Sequence, residues 1–233
     1  MILGIIAAMK SEIKGLQALM YKPKREVISG VSFVCGKIEG CDVVTAVSGV
    51  GKVLAAICAQ TMILNYKPSA IINIGIAGAL TPRLGVMDTV FANRVCQYDM
   101  DTSALGDPKG FISGVDKVYI STDIELTHKL RTSALSLSVM CRTGVIASGD
   151  RFISDFNEKK RIHKAFNAVA VEMEGASIGL VCYVNSVPFA VVRTISDGAG
   201  SVIDYNAFAL AAARNSISII LEFLMKLRKE QLC

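Results

Sequence analysis

Short, nearly continuous apolar runs alternate with longer stretches of helical periodicity along this chain, and this alternation restricts its fold more than any other feature. Runs rich in Val and Ile, such as residues 2–7, 70–74 and 189–195, lack the polar–apolar alternation of a strand with one solvated face. Such runs are typical of strands that are buried on both faces. The sequence therefore predicts an α/β fold of three layers, in which helices cover both faces of a central β-sheet.

The predicted elements follow one another without a linker, an internal repeat or a low-complexity tract, so we expect one domain over residues 1–233. Strands are predicted at residues 2–7, 31–39, 42–47, 70–74, 88–94, 140–147, 168–173 and 189–195, and helices at residues 11–20, 52–64, 126–135, 158–165, 175–183 and 205–230. The second and third strands would form a hairpin over Gly40-Cys41, which makes the predicted sheet mixed. The apolar face predicted for the second helix consists of Val53, Ala56, Ile57, Ile63 and Leu64.

The composition argues against several classes of protein. With 52% hydrophobic and 19% charged residues, the chain can form a large core and is not a disordered chain. The basic runs at 22–25 and 159–161 lack interleaved aromatic residues, so both are predicted to be solvated surface, and no nucleic-acid partner is expected. Residues 98–115 carry four charges, three glycines and a proline, and a loop of this kind is often functional.

The cysteines, histidines and apolar segments lead to expectations about cofactors and location. Seven cysteines without a CxxC pair predict reduced, buried thiols, and two histidines in polar stretches argue against a metal site, so we expect no metal and no cofactor. The N-terminal apolar run stops at Lys10, and no apolar stretch looks both long and clean enough to span a bilayer. We therefore expect a soluble cytoplasmic protein with no membrane partner.

The stretch VAVEMEGASIGL places Glu172 and Glu174 inside an otherwise apolar segment. Burying a bare carboxylate costs several kcal/mol unless the group is paired or hydrogen-bonded, so these residues need a partner or a function. Functional sites of α/β sheets gather at the carboxyl ends of strands. Glu12, Glu174 and Asp197 follow or end predicted strands and could meet in one crevice, with Arg193 beside them.

Ordinary structural roles for the same residues remain open at this point. Asp197 could be a turn or cap residue, and Glu12 could be an exposed residue of the first helical turn. Arg193 could be an ion-pair partner of Glu172 or Glu174. The spacing of these residues alone does not identify a reaction.

Six segments of the chain carry a resemblance to a known family: GIIAAMKSE (4–12), SGVGK (48–52), INIGIAGAL (72–80), SGDRFI (148–153), VEMEG (171–175) and VVRTISD (191–197). Their content and order resemble the bacterial 5'-methylthioadenosine/S-adenosylhomocysteine nucleosidases of the nucleoside phosphorylase superfamily, over essentially the whole chain. The resemblance implies a nucleoside phosphorylase-like fold with a twisted, mixed sheet, a homodimer, and no cofactor. It also implies hydrolysis of the N-glycosidic bond of 5'-methylthioadenosine or S-adenosylhomocysteine, with release of adenine, in methionine salvage and the methyl cycle.

The resemblance assigns catalytic roles to three carboxylates. Asp197 would give or share a proton at purine N7, because a partly desolvated Asp has a raised pKa and can act as an acid near neutral pH. Glu174 would bind the ribose hydroxyls and stabilise the oxocarbenium-like cation. Glu12 would hold and deprotonate the attacking water.

The resemblance also implies a set of substrate-binding residues. Phe152 would stack on adenine while the backbone of Ile153 reads the base edge, and Glu172 would support Arg193. Thr102 and Leu105 would complete the pocket of a neighbouring subunit. The remaining predicted pocket residues are Met9, Val50, Ile76, Ala77, Gly78, Met173, Arg193, Ser196 and Tyr205.

Two other functions of the same fold are alternatives to hydrolysis. Superfamily phosphorylases carry an Arg at the place of Asn73 and a Ser at the place of Ile76, and an anionic Glu12 would repel phosphate. A non-catalytic nucleoside binder would not need all three carboxylates. Nucleosidases of the family also commonly have Ser at the place of Ile76 and His-Asp at the place of Tyr98-Asp99, so the preferred 5' substituent stays open.

Overall fold

The computed structural model describes residues 1–198 and 203–232, and it leaves out the side chains of residues 203–207 and 231–232. The strands are β1 (Ile2–Ala7), β2 (Tyr21–Ile28), β3 (Val31–Ile38), β4 (Cys41–Val47), β5 (Ala70–Ala79), β6 (Thr89–Gln97), β7 (Tyr119–Ser121), β8 (Cys141–Ser148), β9 (Ala168–Glu172) and β10 (Phe189–Asp197). The helices are α1 (Lys10–Ala18), α2 (Lys52–Tyr66), α3 (Ile124–Ser136), α4 (Phe156–Phe166), α5 (Gly175–Val184) and α6 (Ile203–Leu232), and residues Ser103–Leu105 form a 3₁₀ turn. Each predicted helix and strand is thus confirmed, whereas β2 and β7 were not predicted.

The strands form one mixed sheet in the order β10-β6-β8-β9-β5-β1-β4-β3-β2, with β7 paired to β6. Parallel pairs join β1 to β4 and β5, β10 to β5, and β8 to β6 and β9. Because β10 pairs with β5 as well as with β6, the five strands from β10 to β5 close into a barrel. The expected mixed sheet is confirmed, and this closure is an additional feature that brings β5, β9 and β10 together.

Helices cover both faces of the sheet, as expected for three layers. On one face α6 packs against β10 and β5 and is flanked by α1 and α3. On the other face α2 and α5 pack together. Helix α4 lies against β8 and β9 through a separate cluster that contains Ile162 and Phe166. Each face has its own cluster of buried apolar side chains, one containing Ile13, Ile72 and Phe223, the other Ile6, Met62 and Ile178.

Among the described residues, one helical segment, Phe208–Glu230 of α6, is long and apolar enough to cross a membrane by length and composition. This finding differs from the expectation that no apolar stretch is both long and clean enough to span a bilayer. Its buried side chains, among them Ile220, Phe223 and Leu224, belong to the core cluster under α1 and α3. Packing in this core accounts for the apolar character of the helix, since a buried helix and a membrane span satisfy the same composition test.

The second helix buries a different face from the predicted one. In α2, Val53, Ile57 and Leu64 are exposed, whereas the buried residues are Ala55, Cys58, Ala59, Thr61 and Met62. This inner face combines the small side chains Ala55, Cys58 and Ala59 with Met62, and it packs against α5 and the sheet.

The segment GIAGA, predicted as a turn, continues strand β5 to Ala79. Its residues pair with β10, where Gly75 lies opposite Arg193 and Gly78 opposite Asp197. The hairpin turn also differs slightly from the prediction, because Glu39 and Gly40 are its central residues, both with positive φ. Such a turn matches the twist of the two strands that it joins.

Candidate active site

A cleft with about 470 Å³ of empty space, part of it open to solvent, lies at the carboxyl ends of β1, β9 and β10 and beside the second half of β5. The cleft is lined by Ala8, Met9, Glu12, Val50, Ile76, Ala77, Gly78, Phe152, Val171, Glu172, Met173, Glu174, Ser196 and Asp197. A larger cavity along β2 to β4 has one acidic lining residue, the exposed Asp42, which pairs with Lys37.

Most of the predicted site residues therefore meet in one cleft, and the others are placed around it. Ile153 lines a small adjoining cavity that shares Phe152 and Asp197 with the cleft. Arg193 is buried behind the carboxylates. Thr102 and Leu105 do not line the cleft of their own chain, and the side chain of Tyr205 lies outside the described residues.

Glu12 lies in the first turn of α1 and is 3% exposed, so the reading of it as an exposed residue is wrong. The backbone N–H groups of Met9 and Ile76 donate to its two oxygens, at 2.8 and 3.2 Å. Burial raises the pKa of Glu12 above its ordinary value, and the Arg193 guanidinium and these N–H donors oppose that shift. A carboxylate with a raised pKa at the wall of a cleft is suited to accept a proton.

Glu172, the last residue of β9, is held by the start of α5 and by Arg193. Its carboxylate accepts from the backbone N–H groups of Glu174 and Gly175, at 3.0 and 2.8 Å, and from the hydroxyl of Ser148. The Arg193 guanidinium donates to it at 2.5 Å. Because so many protein donors bind its carboxylate, Glu172 is suited to a structural role that supports the site.

Glu174 precedes α5 and is less firmly held than Glu172. The Gly51 N–H donates to one oxygen at 3.0 Å, while Nη2 of Arg193 lies 3.8 Å from the other. Burial and then the negative charge of Glu172 raise the pKa of Glu174 to about 7, against the pull of Arg193 and the Gly51 N–H. This carboxylate thus changes charge near neutral pH and faces the cleft.

Asp197 ends β10, and both of its oxygens are held from the protein side. The ammonium of Lys159 lies 2.7 Å from Oδ2, and the hydroxyl of Ser196 donates to Oδ1 at 3.0 Å. Lys159 is 1% exposed, so the prediction that the basic run 159–161 is entirely solvated surface is wrong. Lys160 and Arg161 are exposed as predicted.

Two glycines of β5 make room for these carboxylates. A Cβ at Gly75 would lie 2.8 Å from Oε1 of Glu12, and a Cβ at Gly78 would lie 2.9 Å from Oδ2 of Asp197. Contacts this short do not occur at real Cβ atoms, so the acidic groups would have to move. The missing side chains allow Glu12 and Asp197 to approach the same strand.

Three supporting residues were missed by sequence interpretation: Lys159, Ser148 and Gly75. Lys159 shares the buried face of α4 with Ile162 and Phe166, at helical spacing, and this periodicity was the available signal. Ser148 opens the SGDRFI segment, but its contact with Glu172 depends on the pairing of β8 with β9.

Within the described ranges, no group of three or more His, Cys, Asp or Glu side chains could hold a metal ion. The described cysteines are unpaired, and Cys58, Cys96 and Cys182 are buried in the core. Burial raises the pKa of these three thiols to about 12, which keeps them protonated and unreactive.

The chain is similar to known proteins over nearly its whole length. The profile of the phosphorylase superfamily matches residues 2–225. An aminodeoxyfutalosine nucleosidase of Campylobacter jejuni is 35% identical and a 5'-methylthioadenosine/S-adenosylhomocysteine nucleosidase of Shewanella pealeana is 36% identical, each over 97% of this chain and 99% of the relative. The crystal structure of the 5'-methylthioadenosine/S-adenosylhomocysteine nucleosidase of Neisseria meningitidis with methylthio-immucillin-A superposes with a TM-score of 0.92 at 30% identity, covering 97% of this chain and 99% of the other.

These similarities extend over the segments that build the cleft, from the start of β1 to α6. The chain therefore belongs to the phosphorylase superfamily and, within it, to the family of the 5'-methylthioadenosine/S-adenosylhomocysteine nucleosidases.

Proposed function

We propose that the protein is an N-glycosyl hydrolase that releases adenine from 5'-methylthioadenosine, S-adenosylhomocysteine or both. The observation that carries this proposal is that Glu12, Glu174 and Asp197 line one cleft. Separate locations for Glu12 and Asp197 would have excluded the reaction. The nucleosidase names of the relatives support the same reaction class.

In the proposed mechanism the three carboxylates act on three different groups: the leaving adenine, the ribose and the attacking water. Asp197 gives or shares a proton at N7, so that adenine leaves as a neutral base. Glu174, as a carboxylate, binds the ribose hydroxyls and stabilises the cation that develops on the sugar. Glu12 takes a proton from the attacking water, whose oxygen forms the new bond to C1'. In sum, water supplies a hydroxyl group to the ribose and a proton to adenine.

The charges around the cleft favour water over phosphate as the nucleophile. A phosphorylase needs cationic groups that are free to bind phosphate. Of the two buried cations described beside the cleft, Arg193 is engaged by Glu172 and Asn73, and Lys159 is engaged by Asp197. The Glu12 carboxylate lies on the cleft wall as an additional repulsive group for an anion.

Aminodeoxyfutalosine is a second candidate substrate, because a relative at 35% identity is named for its hydrolysis. Ile76 lines the cleft at the position where the family commonly has Ser, and its apolar side chain offers no hydroxyl to the substrate. Both candidates contain an adenine linked to ribose, so the mechanism above applies to either.

We further infer a homodimer in the cytoplasm, built from one domain per chain. Leu105 is 83% exposed and contacts no part of its own cleft, which fits a role in the cleft of a partner subunit. The ten strands that the structure describes lie in a single sheet, which supports one domain over residues 1–233. Protonated, buried thiols fit a reducing compartment.

A panel of 5'-substituted adenosines, assayed for free adenine with and without phosphate, tests the proposal. We expect adenine release without phosphate, and the Asp197→Asn variant should lose about 10²–10⁴-fold in turnover. Turnover that requires phosphate and yields a ribose 1-phosphate would instead identify a phosphorylase. Binding of nucleosides without any turnover would identify a non-catalytic binder.

A further inference from the structure

Lys159 is a buried lysine to which the proposed mechanism assigns no role. It reaches from α4 to the end of β10, where its ammonium lies 2.7 Å from Oδ2 of Asp197 and donates to the carbonyl oxygen of Gly198 at 2.8 Å. The two side chains of the pair are 1% and 3% exposed. Removing an ammonium from water costs several kcal/mol unless the group is paired, so a lysine in this position is uncommon.

Stability alone is a weak reason for this ion pair. Apolar residues of similar volume often replace a buried ion pair without loss of stability. The apolar residues Ile162 and Phe166 already attach α4 to the core next to β8 and β9. The position of the charge, directly on Asp197, therefore suggests a role in the cleft.

The geometry shows how Lys159 can act on the cleft without lining it. Asp197 is part of the cleft wall and Lys159 is not, so the ammonium contacts the carboxylate from the protein side. Lys159 holds Oδ2 and Ser196 holds Oδ1, which fixes the plane of the carboxylate. A carboxylate has about four lone-pair sites, so acceptor capacity remains for a ligand.

We propose that Lys159 is a positioning residue that orients Asp197 toward the N7 edge of adenine and stabilises the carboxylate that is left once Asp197 has given its proton to N7. This inference rests on the proposed function, in which Asp197 faces purine N7. Once the proton has passed to N7, the Asp197 carboxylate accepts from the N7–H, and a charged acceptor binds an N–H donor more strongly than a neutral one does. Lys159 would thereby strengthen the hydrogen bond that forms when N7 carries a proton.

Two ligand analogues that differ at purine positions 7 and 9 can test this role by calorimetry. A 9-deazaadenosine carries N–H at purine position 7, whereas the matching 7-deazaadenosine carries C–H there. The wild-type protein should bind the N–H compound more tightly. In Lys159→Met, which removes the charge and keeps similar volume, the ratio of the two affinities should fall about tenfold, because a carboxylate that is no longer held in place loses most of its charge-assisted hydrogen bond to the N–H at position 7.

The same variant should release adenine with a kcat lowered about 10²-fold and a smaller change in KM, because the acid is misplaced while the remaining contacts persist. Lys159→Arg, which keeps a cation, should retain most of the affinity ratio. Lys160→Met is the matched control, since it removes an exposed lysine from the next position of the same helix. It should leave both affinities and turnover unchanged.

An unchanged affinity ratio in Lys159→Met would overturn the proposal, and so would an equal loss of affinity for both analogues, which would indicate a deformed cleft. If circular dichroism shows that Lys159→Met is unfolded, Lys159→Gln is measured in the same way. Unfolding of both variants would assign the ion pair to the fold and overturn the proposal as well. A wild-type protein that binds neither analogue and releases no adenine would refute the proposed function instead.

Discussion

At the scale of single residues, Glu174 connects the electrostatics of the cleft to a measurable pH dependence. Its pKa of about 7 arises first from burial and second from the charge of Glu172. Because the proposed mechanism needs the ionised form, kcat/KM for adenine release should rise as the pH increases from about 6 to about 8. Glu172→Gln removes a negative neighbour, so the rise should move to lower pH.

Glu125→Gln is the control for this pH profile, since Glu125 is an exposed residue in the first turn of α3. Its profile should coincide with that of the wild type. A wild-type profile that stays flat across this range, or a Glu172→Gln profile that does not move, would contradict the role of Glu174 as a carboxylate.

The three carboxylates could be predicted because they follow a general rule, by which acidic residues at the ends of buried strands converge at one edge of a sheet. Lys159 could not be recognised in the same way, because it precedes Lys160 and Arg161 in a run that is typical of solvated surface. Its partner Asp197 is 38 residues away along the chain. Only the packing of α4 beside the end of β10 brings the two together.

At the scale of elements, strand β5 shapes the cleft through its glycines. Gly78→Ala would place a Cβ 2.9 Å from Oδ2 of Asp197, so the carboxylate would have to shift. A shift of this kind at a catalytic group can reduce turnover about 10²-fold. We expect that loss in an adenine-release assay, together with a melting temperature close to that of the wild type, because a flexible side chain can move aside.

Gly114→Ala serves as the control for Gly78→Ala. A Cβ at Gly114 meets no atom within 4 Å, so turnover and melting temperature should both stay at wild-type values. Wild-type turnover in Gly78→Ala would show that the exact position of Asp197 is unimportant.

The elements of the central sheet were predictable because their apolar runs are long and uninterrupted. Strand β2 was not, since YKPKREVI is exposed along most of its length and lacks an apolar pattern. Charged residues and a proline are typical of an edge strand that must not pair with another chain. The prediction of the buried face of α2 was also wrong, because both faces of this helix carry apolar residues and only packing against α5 and the sheet decides which face is buried.

At the scale of the whole molecule, the closure of the barrel depends on the pairing of β10 with β5, which joins residues more than a hundred positions apart. No local pattern encodes such a contact. The same closure nevertheless determines the site, because it sets Arg193 opposite Gly75 and Asp197 opposite Gly78. The positions of acidic residues at strand ends could therefore predict that these side chains meet in one cleft. They could not predict the pairing of β10 with β5 that brings them together.

The proposed homodimer would explain why α2 presents large apolar side chains to solvent. Val53, Leu54, Ile57 and Leu64 are between 41% and 69% exposed, and contiguous apolar surface of this kind often marks a protein interface. We expect the wild-type protein to show twice the chain mass of 24.9 kDa in size-exclusion chromatography with light scattering. A charge buried in an interface without a partner is costly, so Ile57→Asp should yield the monomer.

The Ile57→Asp monomer should also have a lower kcat/KM for adenine release, because Thr102 and Leu105 of each chain would no longer complete the neighbouring cleft. Leu135→Asp is the control, since Leu135 is an exposed residue of α3, in the helical layer on the opposite face of the sheet from α2. It should remain dimeric and fully active. A wild-type protein that elutes as a monomer with full activity, or an Ile57→Asp variant that remains dimeric, would show that the exposed face of α2 has another role.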